Sequence, residues 1–161
     1  MRTTDFLNLD PTGITKVVSG LQQLLADFQV FYTNLRGHHW NIKGPSFYVL
    51  HEKFEDMYDD AAEKVDEIAE RILMLGGVPS NKFSDYLKDT KIKEITGISC
   101  GPEAVKNILE TLNILIAEER KLLSLASEVN DESTVALMSD YLKEQEKTVW
   151  MLVAFLTDGC K

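Results

Sequence analysis

Cysteine, histidine and basic residues are the scarce classes in this sequence. The two cysteines, Cys100 and Cys160, stand far apart and in no C-x-x-C pattern. That argues against a disulfide framework and a thiolate zinc site, and both read as plain reduced thiols. Lys and Arg number 17 against 26 Asp and Glu, a formal net charge of −9. Such a field repels nucleic acid and anionic lipid and attracts cations. No apolar run approaches the roughly 20 residues needed to span a bilayer. The opening "MRTTDFLNLDPTG" has no basic stretch leading into a hydrophobic one, so no secretion signal is read and a cytoplasmic location is the default. Strand signals are scarce too. Glycine and proline, nine and four of 161 residues, fall as short punctuation between long helical stretches.

What is present is helical periodicity over nearly the whole chain, of a length that suits one domain, 1–161. The spacing predicts four long helices. The first opens at Asp10-Pro11, a cap followed by a first-turn proline, and lines up Val17, Leu21, Leu24, Phe28, Phe31 and Leu35. It should stop near "NIKGP". The second starts around Ser46, carries Leu50, Phe54, Met57, Ala61, Val65, Ile68, Ile72 and Leu75, and ends at Gly76-Gly77. A long connection, 80–100, should hold a short helix near Phe83 to Lys88. "GPEAVKNILETLNILIAEERKLLSLASEV" and "ESTVALMSDYLKEQEKTVWMLVAFLT" read as the third and fourth. Trp150, with Val149, Leu152, Val153 and Leu156, is assigned to packing. The expectation is an all-α fold: two helical pairs joined by one longer crossover, the connectivity of ferritin-like four-helix bundles, shared in most features by other up-and-down bundles.

The three histidines, His38, His39 and His51, all fall within "NLRGHHWNIKGPSFYVLHEKFE". Neither paired Glu-x-x-His motifs, which build an iron site inside a bundle, nor a full H-E-x-x-H zinc helix is found, since Glu55 stands where the latter needs its second histidine. His51 and Glu55 at i, i+4 put one nitrogen and one oxygen donor on one helix face, a set suited to iron, manganese or zinc. His and Glu at this spacing are also ordinary surface neighbours. Asp66 and Glu70 repeat the spacing farther along the helix. Fifteen residues separate His51 from Asp66, which returns to within about 60° of the same face but about 22 Å away. One metal cannot take both pairs from one molecule. Two copies packed antiparallel about a two-fold axis near residue 60, where Ala61 and Ala62 permit close approach, would join them into two sites per dimer. His39, near the end of the first helix, should lie at the same end of the bundle as His51.

"HHWNIKGPSFYVLHEKFE" followed by "VDEIAERILMLGG" resembles the signature of the Dps family, the DNA-protection-during-starvation proteins or mini-ferritins. The resemblance implies a homododecamer of ferritin-like subunits, a ferroxidase that oxidises Fe(II), preferably with hydrogen peroxide, and stores ferric mineral in its cavity. It implies an intersubunit iron site with His39, His51 and Glu55 from one subunit and Asp66 and Glu70 from its two-fold partner. Many members carry aspartate at the position of Glu55, which reaches one methylene farther. Trp40 resembles a family tryptophan that traps stray oxidising equivalents; interface packing accounts for it equally well. Asp140, Glu144 and Glu146 resemble acids lining three-fold iron-entry pores, and each also suits a solvated face. His38 has no counterpart in the ligand set and reads as a hydrogen-bonded or exposed histidine.

Two rival functions remain. A nucleoid protein whose main task is binding DNA would want a basic arm, yet the first ten residues hold only Arg2 and the tail "TDGCK" only Lys161; DNA binding is expected to be weak or absent. A mononuclear iron oxygenase using His39, His51 and Glu55 would leave Asp66 and Glu70 unexplained and would need an organic-substrate pocket.

Overall fold

The computed structural model describes residues 2–157. A single 3-10 turn, Thr3–Phe6, precedes five α-helices: α1 Pro11–Asn41, α2 Phe47–Met74, α3 Phe83–Asp89, α4 Gly101–Glu128 and α5 Glu132–Leu156. Four are long and α3 is the short helix expected in the crossover. Cys160 lies outside the described residues, and Cys100 is a free, exposed thiol.

Local chemistry sets the helix ends. Asp10 accepts hydrogen bonds from the amides of Thr12 and Gly13 at 3.2 and 3.0 Å, and Pro11 fills the first turn, where its missing N–H costs nothing. At the far end of α2, Gly76 adopts φ +78°. Its amide bonds to the Leu73 carbonyl and that of Gly77 to the Ile72 carbonyl, both at 2.9 Å. This pattern satisfies the last carbonyls of a helix and favours glycine at the left-handed position.

The α1–α2 and α4–α5 hairpins pack together, with α1 against α4 and α3. All six apolar residues expected on α1 are buried, as are Leu50, Phe54, Met57, Ala61, Ile68, Ile72 and Leu75. Removing a side chain such as Phe54, fully enclosed, costs about 3–5 kcal/mol. Val65 is only half-buried, because α2 turns Lys64, Ile68, Arg71 and Ile72 inward instead. Ala61 belongs to the core while Ala62 is exposed, so of the two alanines only Ala62 faces outward where a second copy could approach. The packing expected of the α5 end is likewise partial. Leu152 is buried, Val149 and Leu156 edge the core, but Trp150 is 68% exposed and Val153 is also exposed.

Polar side chains of α1 strap the crossover down. The fully buried Asp27 carboxylate accepts from the Lys91 amide at 2.6 Å and the Thr90 hydroxyl at 2.9 Å. Asn34 donates to the Lys93 carbonyl and accepts from the Ile95 amide. Gln22 does the same for Val78 and Ser80. A chain crossing a bundle without strand partners must place its backbone groups somewhere, and here side chains of α1 receive them.

Candidate metal centre

The short α1–α2 connection brings the last turn of α1 beside the first turns of α2. His39 and His51 stack face to face there, ring centroids 3.7 Å apart and 19° from parallel. Each imidazole is held by the other's backbone: His39 Nδ1 lies 2.8 Å from the His51 carbonyl oxygen, and His51 Nδ1 lies 2.9 Å from the His39 carbonyl oxygen. A carbonyl only accepts, so both Nδ1 atoms carry the proton and donate. In the uncharged ring this leaves the lone pair on Nε2, the tautomer in which histidine binds metal.

Glu55, one turn beyond His51, completes a group with the two imidazoles, whose ligand atoms lie within 4.8 Å of one another. His39 is nearly buried, His51 half-buried and Glu55 exposed, so the group opens onto the surface of the bundle. Phe47 stacks on the outer face of His51 at 4.9 Å. The edge of Tyr58 meets His39 at 5.3 Å, and its hydroxyl points at Glu55 Oε1 from 3.5 Å. Two imidazoles and a carboxylate form a borderline donor set that suits Fe(II).

Asp66 and Glu70 do not join this group. They lie exposed farther along α2, as the helical rise requires. Trp40 is 64% exposed, its indole beneath the Arg36 guanidinium at 4.8 Å. His38 points the other way, buried between α1 and α4, with Nε2 2.9 Å from Asn107 Oδ1 and its ring against Phe54. Burial pushes its pKa down despite Asn107 and Glu103. It is a satisfied core histidine. Of the candidate pore acids, Glu144 accepts from Lys64 at 2.8 Å, Glu146 pairs with Arg120 at 2.5 Å, and Asp140 is exposed.

Sequence reasoning missed Phe47 and Tyr58, which stand outside the His/carboxylate donor pattern. An aromatic at positions 47 and 58, four before His51 and three after Glu55, was the only available signal. It also missed the reciprocal Nδ1 bonds, which exist only when the two helix ends meet.

A ferritin-like domain family matches residues 18–159. The chain is 54% identical over 154 residues to a DNA protection during starvation protein of Porphyromonas gingivalis, spanning 92% of this chain and 97% of that one. A crystal structure of a Dps protein from Vibrio cholerae O1, described as a member of a broad superfamily of ferritin-like diiron-carboxylate proteins, superposes with a TM-score of 0.92 at 49% identity, covering 94% and 96% of the two chains. That of a Dps protein from Bacillus brevis gives 0.88 at 36% identity, covering 91% and 98%. With its helices, crossover and histidine pair in this arrangement, the chain belongs to the Dps family of ferritin-like proteins.

Proposed function

We propose that the protein is a ferroxidase and iron store, which oxidises Fe(II), preferably with hydrogen peroxide, and keeps the ferric product as mineral inside a hollow dodecamer. The observation that carries this reading is a half-built site. Two imidazoles fixed with Nε2 outward and one carboxylate converge within 4.8 Å, while the acids of the same helix, Asp66 and Glu70, are out of reach. A second copy packed antiparallel across α2 supplies them. His39, His51 and Glu55 then bind iron together with Asp66 and Glu70 of the partner subunit.

The chemistry follows from the donors. Nitrogen ligands hold Fe(II), and three carboxylates around the same position stabilise the higher charge of Fe(III), which favours loss of an electron. Two Fe(II) and one peroxide, with two protons, give two Fe(III) and two waters, so paired delivery leaves no hydroxyl radical behind. Asp140 on the outer face of α5 is the free acid best suited to draw iron to an entry pore. Glu144 and Glu146 add charge there only as far as their ion pairs allow, Glu144 with the buried Lys64 ammonium and Glu146 with Arg120 in an exposed pair. Trp40 serves as an outer trap for oxidising equivalents. With a net charge of −9, the acidic body repels the phosphate backbone and binds DNA weakly at physiological salt.

The double variant His51→Ala/Asp66→Ala tests the site: rapid peroxide-driven iron oxidation should vanish while the particle mass stays that of the assembly. Unchanged rates would remove the assignment. Sharing between subunits has its own test. Co-assembling His51→Ala subunits with Asp66→Ala subunits restores one intact site in each mixed two-fold pair, so activity should return on mixing. A site contained in one chain would stay dead.

A further inference from the structure

We propose that the bundle interior holds a second metal-type site and that Lys64 shuts it: its tethered ammonium occupies the cation position among Asp60, Glu144, Glu119 and Gln145. Iron is thereby left to the intersubunit position. For the identity of the excluded metal the proposal rests on the iron-oxidation reading above.

The donors come from three helices. Lys64 of α2 is 4% exposed, and its ammonium donates to Asp60 of the same helix and to Glu144 of α5, the latter at 2.8 Å. The ring of Tyr141 lies 4.9 Å from it. Near that charge, Glu119 of α4 and Gln145 of α5 are buried. Each keeps one oxygen, Oε2 of Glu119 and Oε1 of Gln145, that no donor meets among the described residues. Their other polar atoms are joined, Gln145 Nε2 donating to Glu119 Oε1 at 2.5 Å. A cavity of about 230 Å³, lined in part by Asp60, Glu144 and Gln145, adjoins the group and has room for the waters that complete a metal's coordination. Three carboxylates and an amide oxygen are hard donors of the kind divalent cations take. Carboxylates converging from facing helices are also how a bundle builds an interior metal site. Here α1 adds no donor and lines the cavity with Phe28 and Phe31.

Charge accounts for the closure. Asp60 and Glu144 are anionic, and the one cation between them is part of the chain, so it is present at a far higher effective concentration than any free ion. Burial disfavours a third carboxylate beside them. A proton on Glu119 Oε2 removes that charge and supplies a donor for Gln145 Oε1, so one hydrogen gives both orphaned oxygens a partner. The charged groups that act on Glu119 are Lys64 and Asp60 of α2 and Arg120 of α4, with Glu144 of α5 joined to Lys64. Once the ammonium is gone, a divalent ion together with an ionised Glu119 leaves the site with the same net charge as before, and one proton is released.

Co(II) binding to the assembled protein tests this, with the intersubunit position silenced by His51→Ala/Asp66→Ala. On that background Lys64→Ala should add about one Co(II) per chain over the same protein with Lys64, and release about one proton for each added Co(II). Glu119→Gln, introduced as well, should abolish the proton release and most of the added binding. If the Lys64→Ala chain loses its helical circular dichroism, Co(II) is expected to restore it, because the metal replaces the missing charge. Equal Co(II) uptake with and without Lys64 overturns the proposal. Added uptake that Glu119→Gln leaves unchanged does the same, as does a Lys64→Ala chain that stays unfolded with Co(II). A wild type that does not oxidise Fe(II) removes the iron-oxidation reading instead, and the Co(II) counts still decide whether Lys64 closes the interior.

Discussion

At the scale of single residues, the most unusual group outside the candidate metal centre is Glu119. It is fully buried inside the bundle, with Oε1 accepting from Gln145 Nε2 at 2.5 Å and Oε2 without a partner among the described residues. Burial pushes its carboxyl up from an ordinary 4.5 to about 8, against the opposing pulls of the Gln145 hydrogen bond and the Lys64 ammonium. The native state therefore holds a proton there that the unfolded chain releases. Between those two values the unfolded state binds fewer protons, so stability falls as pH rises from about 4.5 and the loss is complete above about 8. Glu119→Gln removes that dependence while keeping the shape. Denaturant midpoints at fixed protomer concentration should show the variant gaining on the wild type between about pH 5 and 8, by at most a few kcal/mol. Parallel curves would show that Glu119 does not carry a native-state proton.

At the scale of elements, the bundle is closed by a clamp between the end of α2 and the start of α5. Asp131 caps α5 through the Thr134 amide at 3.1 Å and also accepts from the buried Arg71 guanidinium, which reaches Thr134 Oγ1 at 2.9 Å. One carboxylate thus fixes both a helix start and an ion pair that is closed to water. Asp131→Ala strands the Arg71 charge and should cost about 3–5 kcal/mol. Asp10→Ala, at the exposed cap of α1, should cost about 1 kcal/mol. The two variants side by side in chemical denaturation check this ranking, and equal losses would contradict it. The Gly76 turn and the α1 side chains that hold the crossover belong to the same scale. They keep the long connection against α1, so both hairpins can meet over one core.

At the scale of the whole molecule, the chain ends with apolar surface it cannot bury alone. Tyr48 and Val49 at the start of α2, and Trp150, Met151, Val153 and Phe155 near the end of α5, are exposed together with Phe83 and Leu87 of α3. Val49, Met151 and Phe155 line one groove between α2 and α5, and Phe83 and Leu87 line another against α1; exposed apolar patches of this kind mark association sites, in accord with an assembled particle. Charged substitutions there, such as Met151→Glu with Val153→Glu, should shift the mass measured by light scattering to smaller species while helical circular dichroism stays native. A particle of unchanged mass would place the contacts elsewhere. The acidic body makes a separate prediction: a mobility shift on duplex DNA at physiological salt, without added metal, should be absent or weak.

The helices were legible in the sequence because their signals are local. Apolar spacing at three and four, a cap at Asp10 and a glycine stop at Gly76 act within a few residues of where they stand. The separation of His51 and Glu55 from Asp66 and Glu70 was equally legible, since helical rise is fixed by the backbone. Facts that depend on two distant segments meeting were not. The Nδ1 bonds between His39 and His51, the inward turn of Lys64 and Arg71, the burial of Asp27 and Glu119, and the ring contacts of Tyr58 depend on how neighbouring helices pack. The sequence by itself determined which side chains could bind a metal and that one chain could not gather all of them. Tertiary structure decided which imidazole nitrogens face outward, because only the approach of one helix end to another places a carbonyl where it can hold each ring.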